Sequence, residues 1–457
     1  MDFEAYLTAL RGKTVSVIGI GVSNRPLIEK LLEKGVAVTA RDKKESLGEL
    51  GAELAAQGCK LKLGEDYLKD IHEDVIFRTP GLRPDVLELA AAAARGSVIT
   101  SEMEAFFEVC PCPILAVTGS DGKTTTTTII SKLLAAEGKI VHVGGNIGHP
   151  LLCDTPEMAP EDAAVLELSS FQLMTMQKSP HIAVTTNLAP NHLDVHKDYQ
   201  EYIDAKANIF THQSPKDIAV FNADNADSVT QAAKAVGEVR WFSRRKRVDN
   251  GVFCENGVIY EAADGRVTPI METKDILLPG VHNVENYMAA FAAVRGQVRY
   301  ETMREIAKTF GGVEHRIELI RTRDGVRWYN DSIASSPSRT IAGLNSFPEK
   351  VILIAGGKDK GISYAPLGPV VNDRVKLLLL CGKTAGVIRE AVEQAENYKG
   401  LEILDVADYH EMCIRDSRLA ERRGDTVLIQ CPLRQDPWDR VIVGLYGNFL
   451  PQQLFPA

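Results

Sequence analysis

Short apolar runs, each closed by a polar or glycine-bearing turn, recur along the chain: Thr14–Ile18, Val36–Ala40, Val75–Phe77, Pro113–Val117, Ala164–Glu167, Ile182–Thr186 and Ile218–Phe221. Later runs are Val326–Asn330, Lys350–Ile354 and Val375–Leu380, and Thr426–Ile429 is also strand-like. Runs of this length with little alternation predict strands buried on both faces, as in parallel sheets. Stretches with helical spacing lie between them, such as Ile129-Ile130-Ser131-Lys132-Leu133-Leu134 and the segment up to about Lys34. Strand and helix in alternation predict an α/β protein. Val252–Val267 reads as a hairpin, and no fixed-period repeat or low-complexity tract appears.

Two of the turns carry chemistry. Between the strand Pro113–Val117 and a helix-forming run stands Gly119-Ser120-Asp121-Gly122-Lys123-Thr124-Thr125. In that setting the N–H groups of the turn and of the helix start point at an anion. Lys123 supplies a point charge for β/γ-phosphates, and the Thr124 hydroxyl suits Mg²⁺. ATP or GTP is the expected ligand. The other turn, Gly19-Ile20-Gly21-Val22-Ser23-Asn24, opens a strand–turn–helix–strand unit ending in Arg41-Asp42. Asn24 occupies the place of the third glycine of a dinucleotide fingerprint, so another nucleotide-like group is expected there rather than a redox cofactor. Asp42, at the end of the second strand, suits a ribose or uracil contact.

At 457 residues the chain exceeds one ordinary core. With about 100–200 residues per domain it should hold about three. The expected division is a Rossmann-like domain over 1–110, a central P-loop-type ATP-binding domain over 111–312 and a Rossmann-like domain over 313–457. The Cys110-Pro111-Cys112-Pro113 stretch marks the first break and Gly311-Gly312-Val313 the second. A net charge of −9 argues against general nucleic-acid binding, and Arg244-Arg245-Lys246-Arg247 reads as a solvated turn. The eight cysteines are scattered without the spacing of a zinc site and read as free thiols of a reducing compartment. Neither a signal peptide nor a membrane span is expected, which predicts a cytoplasmic protein.

Further polar clusters follow strands of the central region. Glu167 ends a buried strand and precedes Leu168-Ser169-Ser170-Phe171-Gln172-Leu173, and Thr186-Asn187-Leu188-Ala189-Pro190-Asn191-His192-Leu193-Asp194 repeats the arrangement. A carboxylate and an imidazole at the carboxyl ends of such strands lie where α/β sites form. Lys206 falls on a helix, where a solvated lysine is the ordinary reading.

The compact Gly-Ser-Asp-Gly-Lys-Thr-Thr loop, the Glu167–Leu173 and Gly144-Gly145-Asn146-Ile147-Gly148 segments, and Gly280-Val281-His282-Asn283 resemble the Mur ligase superfamily in this order. The likeness is strongest to the branch that adds D-glutamate to UDP-N-acetylmuramoyl-L-alanine, and it extends to about residue 405. It implies an ATP-dependent amide-bond-forming ligase of peptidoglycan precursor synthesis, acting through an acyl phosphate. Lys123, Glu167, His192 and Lys206 would be catalytic. Thr124, Glu167, His192 and a carbamylated Lys206 would hold a pair of Mg²⁺ ions. Asn283, Arg316 and Asp331 would join Gly119–Thr125 around ATP. Ser23, Asn24, Arg41 and Asp42 would face the uracil end of the substrate, and Asn146 and Ser169 its reacting end. Lys360, helped by Ser335, would take the D-glutamate carboxylate, and a monomer is expected.

This sequence departs from the family in two places. Ile333 stands where some relatives have lysine after Asp-Ser, so that one cation of the closed site is either absent or supplied by Lys358 or Lys360. After Asp405 the likeness fails: Gln430-Cys431-Pro432-Leu433-Arg434 replaces a serine-bearing loop, and Glu411-Met412-Cys413-Ile414-Arg415-Asp416-Ser417 resembles translated sequencing-adapter text. Three alternatives remain at this point. One is another Mur or folylpolyglutamate-type ligase, one a nucleotide-binding protein inactivated by its tail, and one a Rossmann oxidoreductase.

Overall fold

The computed structural model describes residues 1–192, 195–313, 315–323, 325–334, 336–357, 363–405 and 426–430. These form an α/β protein with three sheets, distributed over two compact units: Met1–Ile276 with His282–Lys308, and Leu277–Val281 with the residues from Thr309 onward.

The first sheet contains β1 (Thr14–Ile18), β2 (Ala37–Asp42), β3 (Lys60–Leu63), β4 (Val75–Phe77) and β5 (Val98–Thr100). Its order is β3-β2-β1-β4-β5 and every pair is parallel. Chain direction across the sheet reverses between β1 and β4, so the crevice of this Rossmann-like arrangement opens beyond their carboxyl ends. The glycine turn after β1 lies there.

Arg41 does not face that crevice. It is 1 % exposed. Its guanidinium donates to Ser16 Oγ, to the carbonyls of Tyr67, Lys69 and Asp70, and to the Glu73 carboxylate. All of its N–H donors are occupied, so the expectation that Arg41 reads a uracil is corrected: it fastens β2 to the segment leading into β4. Asn24 is also turned inward, donating to the carbonyls of Ile18 and Gly19, while Asp42 accepts from Ile20 N and Lys44 N. These two side chains shape the turn, and Ser23 is exposed beside it.

The second sheet contains β6 (Ile114–Thr118), β7 (Val141–Gly145), β8 (Ala163–Glu167), β9 (Ile182–Thr185), β10 (Ile218–Asn222), β11 (Glu238–Ser243), β12 (Gly251–Glu255), β13 (Val258–Ala263) and β14 (Arg266–Glu272). Its order is β14-β13-β12-β11-β10-β9-β6-β8-β7. Pairing is parallel from β7 to β12 and antiparallel through β13 and β14, which is where the sequence suggests a hairpin. β6, β8 and β9 are buried along their whole length, which explains their unbroken apolar runs. One apolar core, including Leu27, Val38, Phe106, Leu152, Leu166 and Phe221, serves both sheets, so they pack as a single unit.

The second unit holds β15 (Glu318–Arg323), β16 (Val326–Asn330), β17 (Val351–Gly357), β18 (Val375–Gly382), β19 (Glu402–Asp405) and β20 (Thr426–Gln430) in the order β15-β16-β20-β17-β18-β19. β20 is inserted between β16 and β17, parallel to both. Among the described residues no helix is long and apolar enough to cross a membrane.

Glu102, in the first turn of the helix Glu102–Val109, is buried and accepts Leu152 N at 3.2 Å. Burial pushes its carboxyl up to about 7 from 4.5. A carboxyl raised on folding contributes stability below its unfolded value and loses it as pH rises through the folded value. Glu102→Gln keeps the acceptor and removes the ionisation. The difference in unfolding free energy between variant and parent should be near zero at pH 4 and grow to roughly 3 kcal/mol in favour of Gln by pH 8. Denaturant melts across that range check it.

Candidate active site

β6 leaves the second sheet where strand order reverses, with β8 on one side and β9 on the other. The loop it feeds needs glycine twice. Gly119 has φ +146° and a Cβ there would stand 1.9 Å from Thr186 Oγ1; Gly122 has φ +79° and its Cβ would meet Asn286 Oδ1 at 2.3 Å. The neighbouring loop after β9 pins this one. Ser120 N donates to Asn187 O at 2.9 Å, Asp121 N to Asn187 Oδ1 at 2.9 Å, and Ala189 N to Ser120 Oγ at 2.9 Å. The Ser120 and Tyr202 hydroxyls are 2.8 Å apart. The helix Lys123–Ala136 then starts without a side-chain cap, leaving first-turn N–H groups, Thr125 among them, for an anion. Lys123 Nζ donates to the carbonyls of Gly119 and Ser120 at 2.9 and 3.0 Å, which holds its charge over the loop.

Glu167, at the end of β8, is 2 % exposed. Thr124 Oγ1 donates to its Oε2 at 2.7 Å and Asn146 Nδ2 to its Oε1 at 2.8 Å, while Asn146 N binds its carbonyl at 2.7 Å. Thr124, Asn146 and Glu167 are therefore in direct contact. A buried carboxylate held by neutral donors beside an open helix N-terminus fits a divalent cation bound together with phosphate oxygens. Among the described residues no group of three or more His, Cys, Asp or Glu side chains could hold a metal alone. Mg²⁺, which commonly takes one or two protein ligands and completes its shell with phosphate and water, does not need such a group.

His192 is exposed at φ +54°, its ring set edge-on to Phe171 with the two ring centres 5.1 Å apart. Behind it Phe171 stacks on the buried His196 at 5.5 Å, and His196 meets Tyr202 edge-on at 5.3 Å. Lys206 is 3 % exposed and lies 4.8 Å from the Tyr202 ring centre. Its amine donates to Gly119 O at 2.8 Å and Thr118 Oγ1 at 3.2 Å. Burial, then the nearby Lys123 charge, hold this amine far below the ordinary lysine range. The solvated-lysine reading is thereby excluded.

Ser169 is committed otherwise than expected. Its hydroxyl donates to Gln172 Oε1 and accepts Gln172 N, a capping box on the helix Ser170–Leu173. Its only O–H is thereby committed to Gln172, so toward a substrate Ser169 can act as an acceptor alone. Asn283 is buried and accepts from Asn286 Nδ2 at 3.0 Å; Asn286 in turn accepts from Thr126 Oγ1 on the phosphate-loop helix. In the second unit Asp331 is 3 % exposed, accepting Ile317 N at 3.2 Å and Gln430 Nε2 at 2.7 Å. Burial pushes its carboxyl up to about 6, against the pull of Gln430, Ile317 N and the nearby Arg316. Ser335, Lys358, Lys360 and Asp194 lie outside the described residues, as does the chain after Gln430.

Sequence reading passed over Thr118, Phe171, Asn187, His196, Tyr202 and Asn286. Two had a usable signal: Tyr202 precedes Lys206 by one helical turn and Asn286 follows Asn283 by three residues, so each shares a helix face with a candidate.

Residues 117–294 match the Mur ligase middle domain, and 315–431 the Mur ligase glutamate ligase domain. The UDP-N-acetylmuramoylalanine–D-glutamate ligase of Ruminiclostridium cellulolyticum is 49% identical over 433 residues, 93% of each chain. That of Acetivibrio thermocellus is 50% identical over 394 residues, 86% of this chain and 84% of the relative. Among solved structures, the UDP-N-acetylmuramate–alanine ligase of Thermotoga maritima superposes with a TM-score of 0.57 at 17% identity, covering 95% of this chain and 99% of that one. That likeness is of fold.

Burial that favours the neutral form of the Lys206 amine also favours its attack on CO₂. The protein in ¹³C-bicarbonate at pH 8 is expected to show a carbamate resonance that Lys206→Met lacks; identical spectra would rule the modification out.

Proposed function

The chain belongs to the Mur ligase family, and we propose that it joins D-glutamate to UDP-N-acetylmuramoyl-L-alanine at the expense of ATP. Relatives of that name, aligned over 93% of both chains, support the choice of substrates. The observation that carries the chemistry is the Thr124–Glu167 bond, which unites the phosphate loop with a buried carboxylate at the carboxyl edge of the second sheet.

A carboxylate is a weak electrophile with a poor leaving group at neutral pH. Transfer of the γ-phosphoryl group to the lactoyl-alanine carboxylate gives an acyl phosphate, which the amine of D-glutamate attacks with expulsion of phosphate. In this reading the N–H groups of Gly122–Thr125 and the Lys123 ammonium hold the triphosphate and offset the charge that builds between the reacting anions. Asn283, Arg316 and Asp331 are assigned to ATP, Asn283 to its adenine. Thr124 and Glu167, joined by His192 and a carbamate on Lys206, would hold a pair of Mg²⁺ ions. When bound, these ions neutralise phosphate oxygens and orient them. Asn146, fixed by Glu167, meets the reacting end of the sugar peptide. The uridine end belongs at the carboxyl edge of the first sheet, around the Gly19–Asn24 turn and Asp42. D-Glutamate is assigned to Lys360 and Ser335. Three functional domains divided near 110 and 312, a cytoplasmic location and a monomeric state complete the proposal.

The test is phosphate release from ATP with UDP-N-acetylmuramoyl-L-alanine and Mg²⁺, with D-glutamate present or withheld. Release that requires D-glutamate, and that falls by roughly 10²–10³-fold in Lys123→Ala, is expected. Release triggered by a different amino acid would move the chain to another branch of the family. ATP binding without release under any acceptor would contradict ligase activity.

A further inference from the structure

Two arginines outside the motifs above join the edge of the first sheet to the segments that carry His192 and Lys206. Arg78, the residue after β4, is 1 % exposed. Its Nη1 donates to the carbonyls of Thr79, Pro80 and Leu82 at 3.2, 3.2 and 2.5 Å, while Nη2 donates to Phe171 O at 3.3 Å and Thr175 Oγ1 at 3.2 Å. The ring of that same Phe171 lies against His192.

Arg83, at the far end of the Thr79–Arg83 loop, uses its whole fork. Nη1 donates to Val195 O at 2.6 Å and to Glu201 Oε2 at 2.9 Å. Nη2 reaches Glu201 Oε1 at 2.8 Å, and Nε with Nη2 grips Asp85 at 2.8 and 2.9 Å. Val195 N in turn binds His192 O at 3.1 Å, and Glu201 lies on the helix Tyr199–Ala207 that carries Lys206. The other side of the loop is fixed to the glycine turn. Thr79 N donates to Ile18 O at 3.1 Å, and Thr79 sits so close to Gly19 that a Cβ there would be 2.8 Å from its own Cβ.

The loop is thus bonded at one side to the turn where a nucleoside diphosphate is proposed to bind, and at the other to the backbone of the His192 loop and the Lys206 helix. Planar, multidentate arginine bonds transmit position in a way that single lysine contacts do not. We propose that Arg78 and Arg83 are positioning residues that couple occupation of the first-sheet edge by the UDP group to the placement of His192 and Lys206. Binding at one edge then favours the metal–nucleotide arrangement at the other, and by linkage the reverse holds to the same factor. The inference rests on the substrate reading given above.

Its test needs no turnover. UDP affinity is measured by calorimetry on the full chain, with and without Mg²⁺ and a non-hydrolysable ATP analogue. Hydrogen exchange of residues 187–206 is followed in the same states. In the parent protein the nucleotide should tighten UDP binding about fivefold or more, and UDP should slow exchange in 187–206. Arg83→Lys keeps the charge and loses the fork. It should still bind each ligand alone within about threefold, while the coupling factor falls toward about 1 and the exchange response disappears. Glu201→Gln, altering the other partner, should lower the coupling in the same direction. A purely structural arginine would reduce stability and leave the coupling factor unchanged, and that result overturns the inference. UDP binding to the parent without coupling also overturns it while sparing the ligase reading. Absence of UDP binding to the parent overturns both.

Discussion

The burial of the Glu167 carboxylate among neutral donors is the constraint around which the rest of the site is arranged. Strand order puts β8 directly beside β6, so the end of one strand delivers the carboxylate where the end of the other delivers the phosphate loop. Thr124 and Asn146 occupy an oxygen each. A buried anion without a paired cation is costly. A carboxylate so placed suits a divalent cation bound together with phosphate oxygens.

What holds that edge rigid comes from outside the phosphate loop. Asn187 and Thr186, after β9, bond the backbone of the loop, and Tyr202 reaches Ser120 from the helix that also carries Lys206. Phe171, His196 and Tyr202 form a packed aromatic column between His192 and Lys206. In the second unit the same economy applies to Asp331, whose carboxylate is oriented by Gln430 at the end of the inserted strand β20. That contact makes β20 part of the support of Asp331, although the strand follows the stretch where the sequence ceases to resemble the family.

Much of this was legible in the chain because the relevant signals are local. Apolar runs marked the central strands to within a few residues, while the more polar or shorter β3, β5, β7, β11, β15 and β19 went unread, and glycine and threonine spacing marked the phosphate loop between β6 and its helix. Glu167 announced itself by standing at the end of an unbroken apolar run. The misreadings share a different cause. Arg41 follows a strand in a position that suits a ligand, yet its five donors find partners in residues 16 and 67–73, and no local pattern encodes such contacts. Ser169 is a different case: Gln172 three residues on is the local signature of a capping box and was available to be read. Arg78 and Arg83 were hidden behind a Pro-Gly turn, because their partners lie about a hundred residues away.

The central claim, that Glu167 is built to complete a metal–nucleotide site, is tested most directly by calorimetry of ATP binding in the presence of Mg²⁺ and in EDTA. The account predicts that Mg²⁺ tightens ATP binding in the parent protein and that Glu167→Gln loses most of this increment while keeping the metal-free affinity, since the phosphate loop is left intact. An increment of the same size in the variant would contradict it.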